Sequence, residues 1–358
     1  MNADAATTIK KLYCAVLRIS MSSRIKNALY SIVVLTAVIV VWLLRQTDNP
    51  VKIEGKTMGT SYNITYFDAR NRNFKTQIDS ILELVNQSIS TYDSTSEISQ
   101  FNRSHSVKFR LPYFYPPLKV SREVVSGSHG MYDPTVMPLV NAWGFGPQKV
   151  NNPDTAEVEK VKEYVGFEKL SFNKDSVWKN DPRVQLDFSG IGQGYGADVI
   201  TGYLKSKGIK NALIEVGGEG MAVGVNLSTG KPWRLGIVDP VQPKRFKAYV
   251  DLQNKSFSTS GNYFNYRVVN GKRYSHTIDP VSGYPAERLI LSATVFAPNC
   301  TLADAWATAI MSMGHERAIN ILKSQPALGV CLFYSMDNGE VGQYVSDNVK
   351  NMIIFQQN

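Results

Sequence analysis

Cysteine is scarce, with three residues in 358, at positions 14, 300 and 331. No pair has C-x-x-C spacing, which excludes a disulfide framework and a cysteine-ligated zinc site. Histidine is nearly as rare, at 105, 129, 276 and 315 only, so imidazole chemistry rests on one of four side chains. There is no Walker A string and no G-x-S-x-G elbow, which removes P-loop phosphoryl transfer and the α/β-hydrolase nucleophile. The chain also lacks internal repeats and low-complexity tracts. Its 43% hydrophobic and 19% charged residues exclude disorder, collagen and coiled coil. Strong charge of one sign is missing as well. Of the net +9, the first 50 residues carry +4, leaving +5 spread over the other 308. That is too dilute for a polyanion-binding face, and nucleic acid is not an expected partner.

What is present starts with one apolar run, Ala28 to Leu44, preceded by Lys10, Lys11, Arg18, Arg24 and Lys26. As a helix its 17 residues span about 26 Å, enough for a bilayer core. It ends Val-Val-Trp-Leu-Leu-Arg45 rather than in the small residues of a cleavage site, which predicts a signal anchor. The basic flank predicts residues 1–27 in the cytoplasm, 28–44 in the membrane, a linker at 45–54 and a domain at 55–358 outside. For a bacterium that means an inner-membrane protein facing the periplasm.

Beyond the anchor the periodicities alternate between helix and strand. Ile78, Ile81, Leu82, Val85 and Ile89 predict an amphipathic helix over 76–92. Val184–Phe188 and Asn211–Val216 read as short strands around a Gly-rich turn and a helix over 197–207. Asn270-Gly271 between Tyr266-Arg-Val-Val and Lys-Arg-Tyr-Ser-His276 predicts a two-residue hairpin. Helices are expected over 302–313 and 315–323, with a closing strand over 328–334. Hairpins and isolated helices together predict an α+β fold of mixed or antiparallel sheets with flanking helices.

Three segments carry candidate chemistry. In Ser189-Gly190-Ile-Gly192-Gln-Gly194-Tyr-Gly196-Ala197, alternate glycines let backbone N–H groups approach an anion at a helix N-terminus. From Gly192 the string also fits a relaxed dinucleotide fingerprint, with Glu215 at the end of the next strand. Only one βαβ unit supports that reading, and a plain structural turn is an equal alternative. Asp304 and Thr308, four apart, share a helix face and suit a hard cation, although an Asp in a first turn also answers the helix dipole. One carboxylate suffices for Mg²⁺ only when substrate phosphates fill other positions. His276 sits among Ser, Thr and Asp279, where it would steady a phosphate or move a proton. A histidine on a hairpin is as often without catalytic role, and His129 and His315 read as structural.

Eight motifs in order then resemble the ApbE family over nearly all of residues 55–335. They are Gly55-Lys-Thr-Met58-Gly-Thr60, Ser90-Thr-Tyr92, Gly130-Met-Tyr-Asp133 through Trp143-Gly-Phe-Gly146, Asp187 to Gly196, Gly217-Gly218, Ser258-Thr-Ser-Gly261, His276-Thr-Ile-Asp279-Pro280 and Ala303-Asp304 to Thr308. The resemblance implies an Mg²⁺-dependent FAD:protein FMN transferase. Such an enzyme takes FAD as substrate, joins FMN through a phosphoester to a Thr or Ser hydroxyl of a partner protein and releases AMP. It implies that Met58, Tyr92, Met131, Tyr132, Asp133, Asp187, Gln193 and Ile278 surround FAD. Metal ligands at Gly190, Asp304, Ala307 and Thr308 and a catalytic His276 follow in the same way. Acceptors implied are flavoprotein subunits of membrane redox complexes, of the sodium-translocating NADH:quinone reductase or Rnf type. The chain departs from relatives at Gln193, often Glu or Lys, and at Gly190, Thr in some. A peptide anchor also replaces the lipid tether of many. FAD hydrolysis to FMN and AMP, and flavin binding without catalysis, are the alternatives.

Overall fold

The computed structural model describes residues 22–45, 49–147, 153–261, 266–269, 272–275, 277–286 and 290–356. The chain divides between Asn49 and Pro50 into two compact units. In the first, helix α1 (Ser23–Arg45) is long and apolar enough to cross a membrane, with a mean hydropathy of 1.4 over Ser23–Val40. It starts before the uncharged run because Arg24 and Lys26 are good helix formers and join its first turns.

In the second unit, a single antiparallel sheet follows chain order through eight strands: β1 (Val51–Thr57), β2 (Thr60–Tyr66), β3 (Ala212–Val216), β4 (Glu219–Val223), β5 (Lys255–Gly261), β6 (Ile290–Ala297), β7 (Gly329–Ser335) and β8 (Val341–Val345). The expected linker is therefore corrected at its end. Residues 51–54 are the first half of β1, because Ile53 alternates inward opposite Ile64 and is buried there.

Both faces of this sheet are covered. Helices α2 (Lys75–Ile89), α3 (Gly192–Ser206) and α4 (Cys300–Ser312) lie on one side. On the other lies a three-stranded sheet of Trp233–Val238, Phe246–Leu252 and Ile353–Phe355. Strand β6 shows the consequence. Ala293, Val295 and Ala297 face the helix-side core while Phe296 faces the small sheet, so the strand is apolar almost throughout. The architecture is the expected α+β, and antiparallel pairing along the whole main sheet removes the dinucleotide-fold alternative.

Several local readings differ. Val184–Phe188 is extended but not a strand, with one isolated bridge from Gln185 to Val136. Side chains take several of its backbone groups instead, and Asp187 N donates to Pro134 O. Leu186 N donates to Asn102 Oδ1 at 2.7 Å, Asn102 Nδ2 donates to Leu186 O at 2.9 Å, and Lys179 Nζ donates to Val184 O at 2.8 Å. Helix α2 ends at Ile89, so Tyr92 lies beyond it. Strand β7 does not close the fold, since β8 and Ile353–Phe355 follow. The hairpin strands Tyr266–Val269 and Lys272–Ser275 pair antiparallel in the expected register. Their Asn270-Gly271 turn and His276 lie outside the described residues.

Candidate active site

A cavity of about 810 Å³ opens between the small sheet, the β3–β4 turn, the start of α3 and the middle of α4. It falls within the range of roughly 300–1,000 Å³ usual for small-molecule sites. Its lining brings together Met131, Tyr132, Asp133, Asp187, Gly190, Gln193, Ile278, Asp304 and Thr308. Three expected residues do not line it. Met58 sits in the β1–β2 turn at φ 50°, against Gly196. Tyr92 is 71% exposed. Ala307 is fully buried on α4, leaving only its carbonyl to offer.

The glycine string does something other than cradle an anion. Helix α3 begins at Gly192, five residues earlier than expected, so Gly194 and Gly196 are its first turns rather than a loop. A Cβ on Gly194 would stand 2.4 Å from Cys300 O and 2.7 Å from Asp304 Cβ, and one on Gly190 would stand 2.9 Å from the Thr308 side chain. These glycines let α3 and α4 touch. The unpaired N–H of Gly194, in the first turn of α3, donates to Asp304 Oδ2 at 2.9 Å. A carboxylate of the protein thus occupies the helix N-terminus where an external anion was an option.

Asp304 is not in the first turn of α4 either. Asn299 caps that helix by accepting from Leu302 N, and Asp198 accepts from the N–H groups of Cys300 and Thr301, each at 2.8 Å. With the cap supplied elsewhere, Asp304 faces the cavity. One turn on, Thr308 Oγ1 donates to Gly190 O at 3.2 Å. Ser312 Oγ, a further turn along, donates to Met131 O, tying α4 to the segment that carries Met131, Tyr132 and Asp133.

The electrostatics are one-sided. Asp133, Asp187, Glu215, Glu219 and Asp304 all line the cavity, and among the described residues no Lys, Arg or His does. Asp133 is satisfied internally, accepting from Thr135 N and Oγ1 and from Phe167 N. Asp187 accepts from Ser189 N and Oγ. Burial pushes both carboxyls above the usual range, with those hydrogen bonds opposing it. Burial raises Asp304 to about 7, again against the opposing Gly194 N–H. Tyr132 is buried with its hydroxyl 3.2 Å from Ser121 Oγ, and burial raises its phenol. Asp279 accepts from Val281 N and shapes its own turn.

The oxygen donors of Asp304, Thr308 and Gly190 suit a hard cation such as Mg²⁺. The described residues hold no cluster of three or more His, Cys, Asp or Glu able to bind a metal, so such an ion would take its remaining ligands from substrate or water. Sequence reasoning missed Glu219 as a site residue and met Glu215 only as part of the dinucleotide fingerprint. The available signal was Gly217-Gly218, with φ 69° and 109°, whose two-residue turn sets Glu219 as the first residue of β4. Gly217 also admits the Gln193 side chain, 2.7 Å from where its Cβ would stand.

Comparison with known proteins bears on this site. The ApbE family pattern matches residues 58–332. A FAD:protein FMN transferase of Vibrio cholerae is 36% identical over 310 residues, 84% of this chain and 92% of the relative. One of Escherichia coli is 34% identical over 324 residues, 86% of this chain and 90% of the relative. The solved flavin transferase ApbE from Vibrio cholerae superposes with TM-score 0.77 at 34% identity, covering 85% of this chain and 99% of the other. The apo flavinyl transferase ApbE of Pseudomonas stutzeri gives 0.76 at 28% identity, covering 85% and 97%.

Proposed function

The chain belongs to the ApbE family, and from that premise we propose that it transfers FMN from FAD to a Thr or Ser hydroxyl of a partner protein. The acceptor oxygen bonds to the FMN phosphorus and the bond from that phosphorus to the bridging oxygen breaks. AMP departs with that oxygen, and the hydroxyl proton is released. The observation that carries the reading is a family-matched cavity with five carboxylates and no described basic side chain. Such a lining repels a pyrophosphate unless a cation comes with it.

Asp304, Thr308 and the Gly190 carbonyl would hold Mg²⁺, with the Ala307 carbonyl as the family resemblance implies. When bound, the ion offsets charge on the phosphoryl oxygens. Met131, Tyr132 and Ile278 supply an apolar wall for a flavin or adenine face. The exposed Tyr92 ring would stack on the ligand from outside, and Met58 would join it as the family resemblance implies. Asp187 and Gln193 orient polar edges, and Asp133, its oxygens already bonded, holds the Met131–Asp133 segment in place. His276 moves the hydroxyl proton or donates to the pyrophosphate.

The N-terminal helix α1 would tether the enzyme to a bacterial inner membrane, basic residues inside and catalytic unit in the periplasm. There the acceptors would be flavoprotein subunits of membrane redox complexes, of the sodium-translocating NADH:quinone reductase or Rnf type. Incubation with FAD, Mg²⁺ and an acceptor domain should add one FMN to the acceptor mass. AMP release with an unmodified acceptor would overturn transfer in favour of hydrolysis, and tight FAD binding without turnover in favour of a flavin-binding protein.

A further inference from the structure

Glu219 differs from the cavity's other buried carboxylates. Asp133, Asp187 and Asp304 each accept at least one backbone N–H. Glu219 is 6% exposed, and its Oε2 has no hydrogen-bond partner among the described residues. Ser258, on the neighbouring strand β5, is buried beside the Glu219 carboxyl, and its Oγ also lacks a partner of good geometry. A buried, unpaired carboxylate oxygen is strongly unfavourable unless something arrives to meet it. The described lining offers no basic side chain to do so, and Asp304 places a second carboxyl on the same cavity.

The position is also rigid. Glu219 follows a two-residue turn of two left-handed glycines and is paired across it with Val216, so its backbone direction is set by the hairpin. Every residue of β4 is buried.

We propose that Glu219 is a second protein carboxylate for the divalent cation, meeting it directly or through one water, opposite Asp304, Thr308 and the Gly190 carbonyl. This rests on the metal reading given above. Mg²⁺ sites with one or two carboxylates are usual where substrate phosphates complete the coordination, so the pair leaves room for pyrophosphate oxygens.

The test uses the full chain in detergent, with Mn²⁺ alone as a paramagnetic probe and Mg²⁺ in a parallel thermal-unfolding series. Glu219→Gln should weaken Mn²⁺ binding about tenfold or more and remove most of the Mg²⁺-induced rise in melting temperature. The metal-free melting temperature should hold, because the amide keeps the shape of the carboxyl it replaces. Mn²⁺ affinity within about twofold of the parent would overturn the proposal. Asp304→Asn separates the two layers. Loss of Mn²⁺ binding there, with Glu219→Gln unaffected, keeps the cation site and rejects Glu219. No change in either variant rejects the cation site itself. Should Glu219→Gln not fold, Glu219→Ala is read by the same two criteria.

Discussion

Asp68, just beyond β2, and Asp304, on α4, both expose little surface, 7% and 5%, but Asp68 lies near the surface and Asp304 deep inside, and they titrate in opposite directions. Asp68 accepts from Arg72 Nε at 2.8 Å, a second guanidinium nitrogen at 2.9 Å and the Arg72 N–H at 2.9 Å. Those bonds to Arg72 hold its carboxyl down to about 2. Asp304 receives one backbone N–H, and burial takes it up to about 7. At Asp68 the chain provides the cation itself. In the cavity it provides none among the described residues, and the charge is left for something from outside.

The largest expected effect tests the cavity side of that contrast. Asp304→Ala should lower FMN transfer on the order of 10³-fold and make FAD affinity insensitive to Mg²⁺, measured by acceptor mass and by FAD titration with and without the ion. Thr308→Ala should cost only about tenfold, since water can replace a neutral hydroxyl ligand. Unchanged transfer at saturating Mg²⁺ in the Asp304 variant would reduce that residue to a helix-packing role and dissolve the comparison.

His276→Ala should slow transfer by about 10²-fold or more while FAD still binds, the range of a positioned proton-transfer group. Steady-state rates beside FAD titrations check this, and a near-normal rate would return His276 to the hairpin.

Gly194→Ala joins the two sides, because its Cβ would meet the backbone oxygen of Cys300 as well as Asp304. Overpacking of this kind costs about 1–3 kcal/mol, and transfer should fall with stability because α4 carries the site. Denaturant unfolding that matches the parent would show that α3 and α4 can separate without loss.

Asp68→Asn should act on the fold alone. The folded carboxyl is depressed to about 2, so its stabilisation is full above the ordinary carboxylate range and is lost as pH falls through about 2. Allowing for solvent around the partly exposed Arg72, the loss at neutral pH is about 1–2 kcal/mol. Parent and variant should converge near pH 2 in unfolding measurements, and a constant gap down to that pH would contradict the ion pair. The smallest effect belongs to the tether. Removing residues 1–48 should leave the unit from Pro50 soluble and its FAD binding unchanged, since every cavity-lining residue lies within that unit.

Much of the fold was legible from local pattern. The run behind α1, the spacing of Ile78, Leu82, Val85 and Ile89, the pairing of Tyr266–Val269 with Lys272–Ser275 and the helices of Asp304 and His315 each arise from residues close in sequence, where periodicity and turn chemistry operate. The site was legible as a set of motifs, nine of whose residues the fold gathers around one cavity. Local spacing by itself marked the glycine string and the Asp304–Thr308 pair, while Met131, Tyr132, Asp133, Asp187 and Ile278 followed from the family resemblance. Tertiary structure alone decided that Val184–Phe188 is held by Asn102 and Lys179 instead of a ladder, that the alternate glycines exist for helix contact, and that Glu219 shares a cavity with Asp304. The physical reason is that these depend on what stands opposite. A backbone group, a missing Cβ or a carboxylate takes its role from the partner it meets, and the sheet brings that partner from far along the chain.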